Sequence, residues 1–128
     1  MSLEKIMVVD DQREYLKWLS HYLKSLGWEV IPINNGIEAL EKVRSVKPNL
    51  ILLDMSMPEM DGFEVARCLK EDPNYRDIPI LAATALAMPK DRERCLAAGC
   101  NDYISKPFTP EDLAEHITRL LAIPDLPA

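Results

Sequence analysis

Short apolar, β-branched runs alternate along the chain with longer stretches in which apolar residues recur every three or four positions. Ile6 to Val9, Val30 to Ile33, Leu50 to Leu53, Ile80 to Ala83 and Tyr103-Ile104 predict five strands. In the first gap Leu16, Leu19, Leu23 and Leu26 form one apolar face that stops at Gly27, where a helix can end in a left-handed residue. Leu113, Ile117, Leu120 and Leu121 predict a similar last helix. Three helix starts pair an oxygen acceptor with a carboxylate three residues on: Asn35 with Glu38, Asp61 with Glu64, and Thr109 with Asp112. Pro110 follows at the first helical position, where a missing N–H costs nothing.

Strands alternating with helices imply right-handed crossovers and a mainly parallel sheet covered on both faces, an α/β fold. Leu50-Ile51-Leu52-Leu53 is apolar throughout, as a strand buried on both faces should be. Pro32 cannot donate a ladder hydrogen bond, so the second strand belongs at an edge. That fits a doubly wound five-stranded parallel sheet of order 2-1-3-4-5, with the ligand crevice between the first and third strands beyond their C-terminal ends.

Composition narrows the classes. The chain has 128 residues, 48% hydrophobic, which suits a single domain. Fifteen basic against 21 acidic side chains give a net charge of -6, which argues against a nucleic-acid partner. No apolar run approaches the ~20 residues of a membrane span, and no signal core follows the N-terminus, so the expectation is a cytoplasmic protein with no membrane partner. Cys68, Cys95 and Cys100 are odd in number and form no C-x-x-C pair, which reads as reduced packing thiols. Met1-Ser2-Leu3 is compatible with a cloning remnant and Pro124 to Ala128 with the start of a linker. The expected domain therefore runs over residues 4–122, with 123–128 as tail or linker.

The candidate chemistry lies at strand ends. Asp10 and Asp11 follow the first strand, Asp54 closes the third, Thr84 closes the fourth and Lys106 follows the fifth, so a parallel sheet delivers all five to one edge. Singly, each has an ordinary explanation: a helix cap, a strand end or a solvated charge. Together they gather three carboxylates, and two carboxylates ~4 Å apart repel by ~4 kcal/mol at an effective dielectric near 20. A cation relieves that, and clustered oxygen ligands suit Mg²⁺ better than zinc.

These residues resemble the response-regulator receiver domains over nearly the whole chain. The resemblance rests on Val8-Val9-Asp10-Asp11, Leu53-Asp54-Met55-Ser56-Met57-Pro58, Asp61-Gly62, Thr84-Ala85 and Lys106-Pro107-Phe108, in family order with family-like spacing. It implies a flavodoxin-like (βα)5 fold with Asp54 as phosphoacceptor. It further implies Mg²⁺ (or Mn²⁺) held by Asp11, Asp54 and the backbone carbonyl of Ser56, with Asp10 helping through a water on the ion. Thr84 and Lys106 would contact the phosphoryl oxygens, Tyr103 would be the switch aromatic, and the Lys106-Pro107 bond would be cis. The implied donor is a sensor histidine kinase or histidine phosphotransfer domain, because His21 and His116 lie in helical stretches away from this edge. The implied output is a change in the surface made by the helix around Lys90 to Ala98, the last strand and the helix from Pro110 to Leu121, read by a downstream protein or a fused domain.

Phosphoryl transfer needs in-line positioning and charge neutralisation, which this residue set offers. Ser56 and Leu86, two residues after Asp54 and Thr84, supply no amide or carboxylate to orient a water, so slow self-dephosphorylation is expected. Trp18, Trp28 and Met88 read as packing or partner contacts. A phosphatase of the haloacid dehalogenase type would want a second Asp where Ser56 stands, and a flavin module would want a Ser/Thr/Gly-rich cradle where Asp10-Asp11-Gln12 stands. A degenerate receiver that only docks partners would not need all five site residues. The chain carries no DNA-reading helix module, which leaves a stand-alone shuttle or a receiver cut from a hybrid kinase.

Overall fold

The computed structural model describes residues 3–85 and 89–122. Its elements are β1 (Lys5–Val9), α1 (Arg13–Ser25), β2 (Glu29–Ile33), α2 (Gly36–Val46), β3 (Leu50–Asp54), α3 (Gly62–Glu71), β4 (Ile80–Thr84), α4 (Pro89–Ala97), β5 (Asp102–Ser105) and α5 (Pro110–Ala122). All four strand pairings are parallel and the order is β2-β1-β3-β4-β5. Pro32 sits on the edge strand opposite Val8, exposed, as its missing donor requires. β3 and β4 are buried along their whole length.

Successive strand residues point to opposite faces, which sorts the core into two layers. Ile6, Val8, Leu50 and Leu52 pack with α1 and α5, while Met7, Val9, Ile51 and Leu53 pack with α2, α3 and α4. Each fully buried side chain of this size stabilises the fold by about 1.5–3 kcal/mol.

The three expected caps form. Glu38 N–H donates to Asn35 Oδ1 at 2.7 Å, Glu64 N–H to Asp61 Oδ1 at 3.0 Å, and Asp112 N–H to Thr109 Oγ1 at 3.0 Å. Gly27 follows α1 with φ +102, where only glycine is unstrained. Neither Asp10 nor Asp11 caps α1; the N-cap is Gln12, without a side-chain bond. Two cysteines are packing thiols as expected, Cys95 and Cys100, and burial raises the pKa of both, that of Cys100 to about 12. Cys68 departs from the expectation and is exposed, because Val65, Ala66 and Leu69 take the buried side of α3. Met1-Ser2, Leu86, Met88 and the Pro124 to Ala128 tail lie outside the described residues. Among the described residues no helix is long and apolar enough to cross a membrane.

Candidate functional site

The C-terminal edge of the sheet brings together every residue that the strand-end argument singled out. Asp10 follows β1, 3% exposed; its N–H donates to Ile33 O at 3.0 Å and its Oδ1 accepts from Gln12 N–H at 2.9 Å, which turns the chain into α1. Asp11 stands beside it, exposed. Asp54 ends β3, 4% exposed, and its Oδ1 accepts from Ser56 N–H at 3.0 Å. One oxygen from each of these three carboxylates falls within a 4.8 Å cluster. The donor set is all oxygen and one member is open to water, so the residues fit a hard cation that keeps part of its hydration, such as Mg²⁺.

The other side of the cluster comes from β4 and β5. Thr84 ends β4, buried, and its carbonyl accepts from Lys106 N–H at 2.8 Å. The Lys106-Pro107 peptide bond is cis. Lys106 Nζ lies 3.5 Å from Asp10 Oδ2 and 3.6 Å from Asp54 Oδ1, ion-pair distances too long for strong hydrogen bonds. Tyr103, three residues earlier on β5, is half-buried, with the Arg92 guanidinium 5.7 Å from its ring centre.

Gly62 explains the Asp61-Gly62 pair. A Cβ there would come within 2.6 Å of Asp54 O and Met55 Sδ, so α3 can start against the backbone of Asp54 only with glycine. The connecting loop holds Glu59 at φ 66, in the left-handed region that non-glycine residues rarely occupy.

Burial raises the Asp54 pKa; the Ser56 N–H and Lys106 pull it down, and Asp10 and Asp11 push it up again. Burial is the largest of these influences, and the net shift is upward. Tyr15 is the residue that the sequence reading passed over. Its ring centre is 5.5 Å from Lys106 Nζ, and burial, then Asp10, then Asp54 raise its pKa to about 12. The available signal was the spacing of Tyr15, Trp18 and Tyr22, which puts three aromatic rings on one side of α1; they stack at 6.2 and 6.0 Å. His21 is exposed and His116 is on α5, its Nδ1 2.8 Å from Asp112 O, so neither faces the carboxylates. A surface concavity of about 510 Å³, lined by α1, β2 and Glu38 of α2, lies apart from the carboxylates.

A family model described as "Response regulator receiver domain" matches residues 6–118. The chain is 40% identical over 118 residues to "Polar-differentiation response regulator DivK" of Brucella anthropi, covering 92% of this chain and 96% of that one. A chemotaxis protein of Vibrio cholerae superposes with TM-score 0.88 at 32% identity, over 93% of this chain and 99% of the other. The receiver domain of a sensor histidine kinase from Pseudomonas aeruginosa, solved with a magnesium ion coordinated in its active-site cleft, superposes with TM-score 0.87 at 34% identity, over 95% and 100%.

Proposed function

Since the chain belongs to the response regulator receiver domain family of two-component signalling, we propose that Asp54 is its phosphoacceptor, served by Asp10, Asp11, Thr84 and Lys106. The observation that carries this reading is the placing of Lys106 Nζ 3.6 Å from Asp54 Oδ1 beside two further carboxylates. An ammonium within reach of the acceptor can meet the oxygens of an incoming phosphoryl group.

In the proposed reaction an Asp54 carboxylate oxygen forms a bond to phosphorus. The bond from phosphorus to the nitrogen of a phosphohistidine breaks, and its electron pair returns to the imidazole. The donor is a sensor histidine kinase or a histidine phosphotransfer domain, and no nucleic acid takes part. Asp10, Asp11, Asp54 and the Ser56 carbonyl would hold Mg²⁺ or Mn²⁺, which supplies neutralisation of charge on the transferred oxygens. Lys106 orients one of those oxygens. The Thr84 hydroxyl moves toward another, and Tyr103 follows into the space vacated. The surface of α4, β5 and α5 changes as a result and is read by a downstream protein or a fused domain, in the cytoplasm. The switching unit is residues 4–122, with 123–128 as tail or linker. Ser56 offers neither an amide nor a carboxylate to orient a hydrolytic water, which supports a long-lived phosphorylated state.

The test is incubation with acetyl phosphate and Mg²⁺, read by mass spectrometry. The wild-type chain gains one phosphoryl group and Asp54→Asn gains none. An unmodified wild type, or equal modification of the variant, overturns the assignment.

A further inference from the structure

Lys106 is held by groups that do not fix it individually. Its distances to Asp10 and Asp54, 3.5 and 3.6 Å, are longer than a good charge-assisted hydrogen bond, and its side chain is a flexible four-carbon stem. Two carboxylates pull on the ammonium from nearly equal range without choosing its position. The third neighbour is the ring of Tyr15, whose centre lies 5.5 Å from Nζ, inside the ~6 Å reach of a cation–π contact.

That ring is itself braced. Tyr15 stacks on Trp18 at 6.2 Å with 27° between the planes, and Trp18 on Tyr22 at 6.0 Å with 9°. Tyr15 also packs against the α1–α5 layer of the core. A side chain locked by packing in this way can hold a partner in place where a loose one cannot.

We propose that Tyr15 is a positioning residue for phosphoryl transfer: its ring face seats the Lys106 ammonium beside Asp54 and covers that side of the site against water. This rests on Asp54 being the phosphoacceptor. The ring face carries the role and the hydroxyl does not. Burial, Asp10 and Asp54 keep the phenol protonated far above neutral pH, so Tyr15 brings no charge to the cluster.

Beryllofluoride binding, followed by fluorine NMR with Mg²⁺ present, separates the possibilities. Tyr15→Leu removes the ring, and Tyr15→Phe keeps it without the hydroxyl. The expected result is a loss of affinity of roughly three- to tenfold in Tyr15→Leu, the range of a half-exposed cation–π contact, with Tyr15→Phe within about twofold of wild type. Mg²⁺ affinity measured without beryllofluoride stays within about twofold in both variants, because Tyr15 offers the ion no oxygen that these roles require. Autophosphorylation from acetyl phosphate slows in the same order. Unchanged beryllofluoride affinity in Tyr15→Leu overturns the proposal, as does a Tyr15→Phe as weak as Tyr15→Leu, or a parallel loss of Mg²⁺ affinity. A wild-type chain that binds no beryllofluoride removes the Asp54 reading first, and this one with it.

Discussion

Lys70 and Lys106 are both half-buried, but Lys70 reaches the N-terminal ends of β4 and β5 and Lys106 stands at their C-terminal ends. Lys70 Nζ donates to Arg76 O and Ile78 O at 2.9 Å and to Asn101 Oδ1 at 3.2 Å, so all three of its protons have acceptors. Those acceptors are neutral, and burial lowers its pKa even though Cys100 and Asp77 work the other way. Lys106 faces two carboxylates at 3.5 and 3.6 Å and an aromatic ring. A saturated cation among carbonyls ties a loop to a sheet. An unsaturated one among carboxylates is ready for a better acceptor, and a phosphoryl group is one.

The sharpest break in that comparison is loss of the acceptor itself. Asp54→Asn should abolish covalent modification by acetyl phosphate, seen as a missing phosphorylated band on a phosphate-affinity gel, while the fold persists. Exchanging each lysine for methionine then separates the two roles. Lys106→Met should slow phosphorylation by at least about a hundredfold, the usual effect of removing one group that stabilises transition-state charge. Its effect on stability should stay below about 1 kcal/mol, because its ion pairs are long and partly solvated. Lys70→Met should do the reverse. Leaving the part-buried Ile78 carbonyl unsatisfied costs about 1–3 kcal/mol, or roughly 3–10 °C in melting temperature for a domain of this size, with the phosphorylation rate within about twofold of wild type.

Most of the fold could be read from the chain because its determinants are local. Pro32 assigns the edge, the unbroken apolar run Leu50 to Leu53 assigns the centre, and three side-chain caps mark helix starts. Strand-end positions then place Asp10, Asp54, Thr84 and Lys106 at one rim, since a parallel sheet leaves them no other. What resisted reading depends on packing between distant segments. Lys70 on α3 reads as an ordinary solvated helix charge until Asn101 arrives beside it. Tyr15 looks like one more helix aromatic until the β5–α5 turn sets Lys106 against it. The raised pKa of Asp54 has the same origin, for its largest cause is the burial of the carboxyl in the folded chain.

Two smaller effects test the carboxylate end of the comparison. Mg²⁺ at about a hundred times its dissociation constant should stabilise the fold by roughly 2.7 kcal/mol, visible as a higher melting temperature that EDTA reverses and that Asp11→Asn diminishes. Without metal, folded Asp54 keeps its proton to higher pH than the unfolded chain does. The folded state then binds more protons in that window, so the Asp54 contribution is greatest below the ordinary aspartate range and is lost as pH rises through the raised value. Asp54→Asn should therefore melt a few degrees higher than wild type near neutral pH in EDTA, and that gap should close on acidification. No such convergence in paired melting curves would count against the burial argument.

Pro32 has a consequence beyond strand order. A bare strand margin is a template onto which a second polypeptide can add, the first step toward fibrous aggregation, and proline withholds the N–H that such an addition would use. The β2 margin thereby lacks one of the donors that backbone annealing with other copies in a crowded cell would use, which weakens such an addition at Pro32.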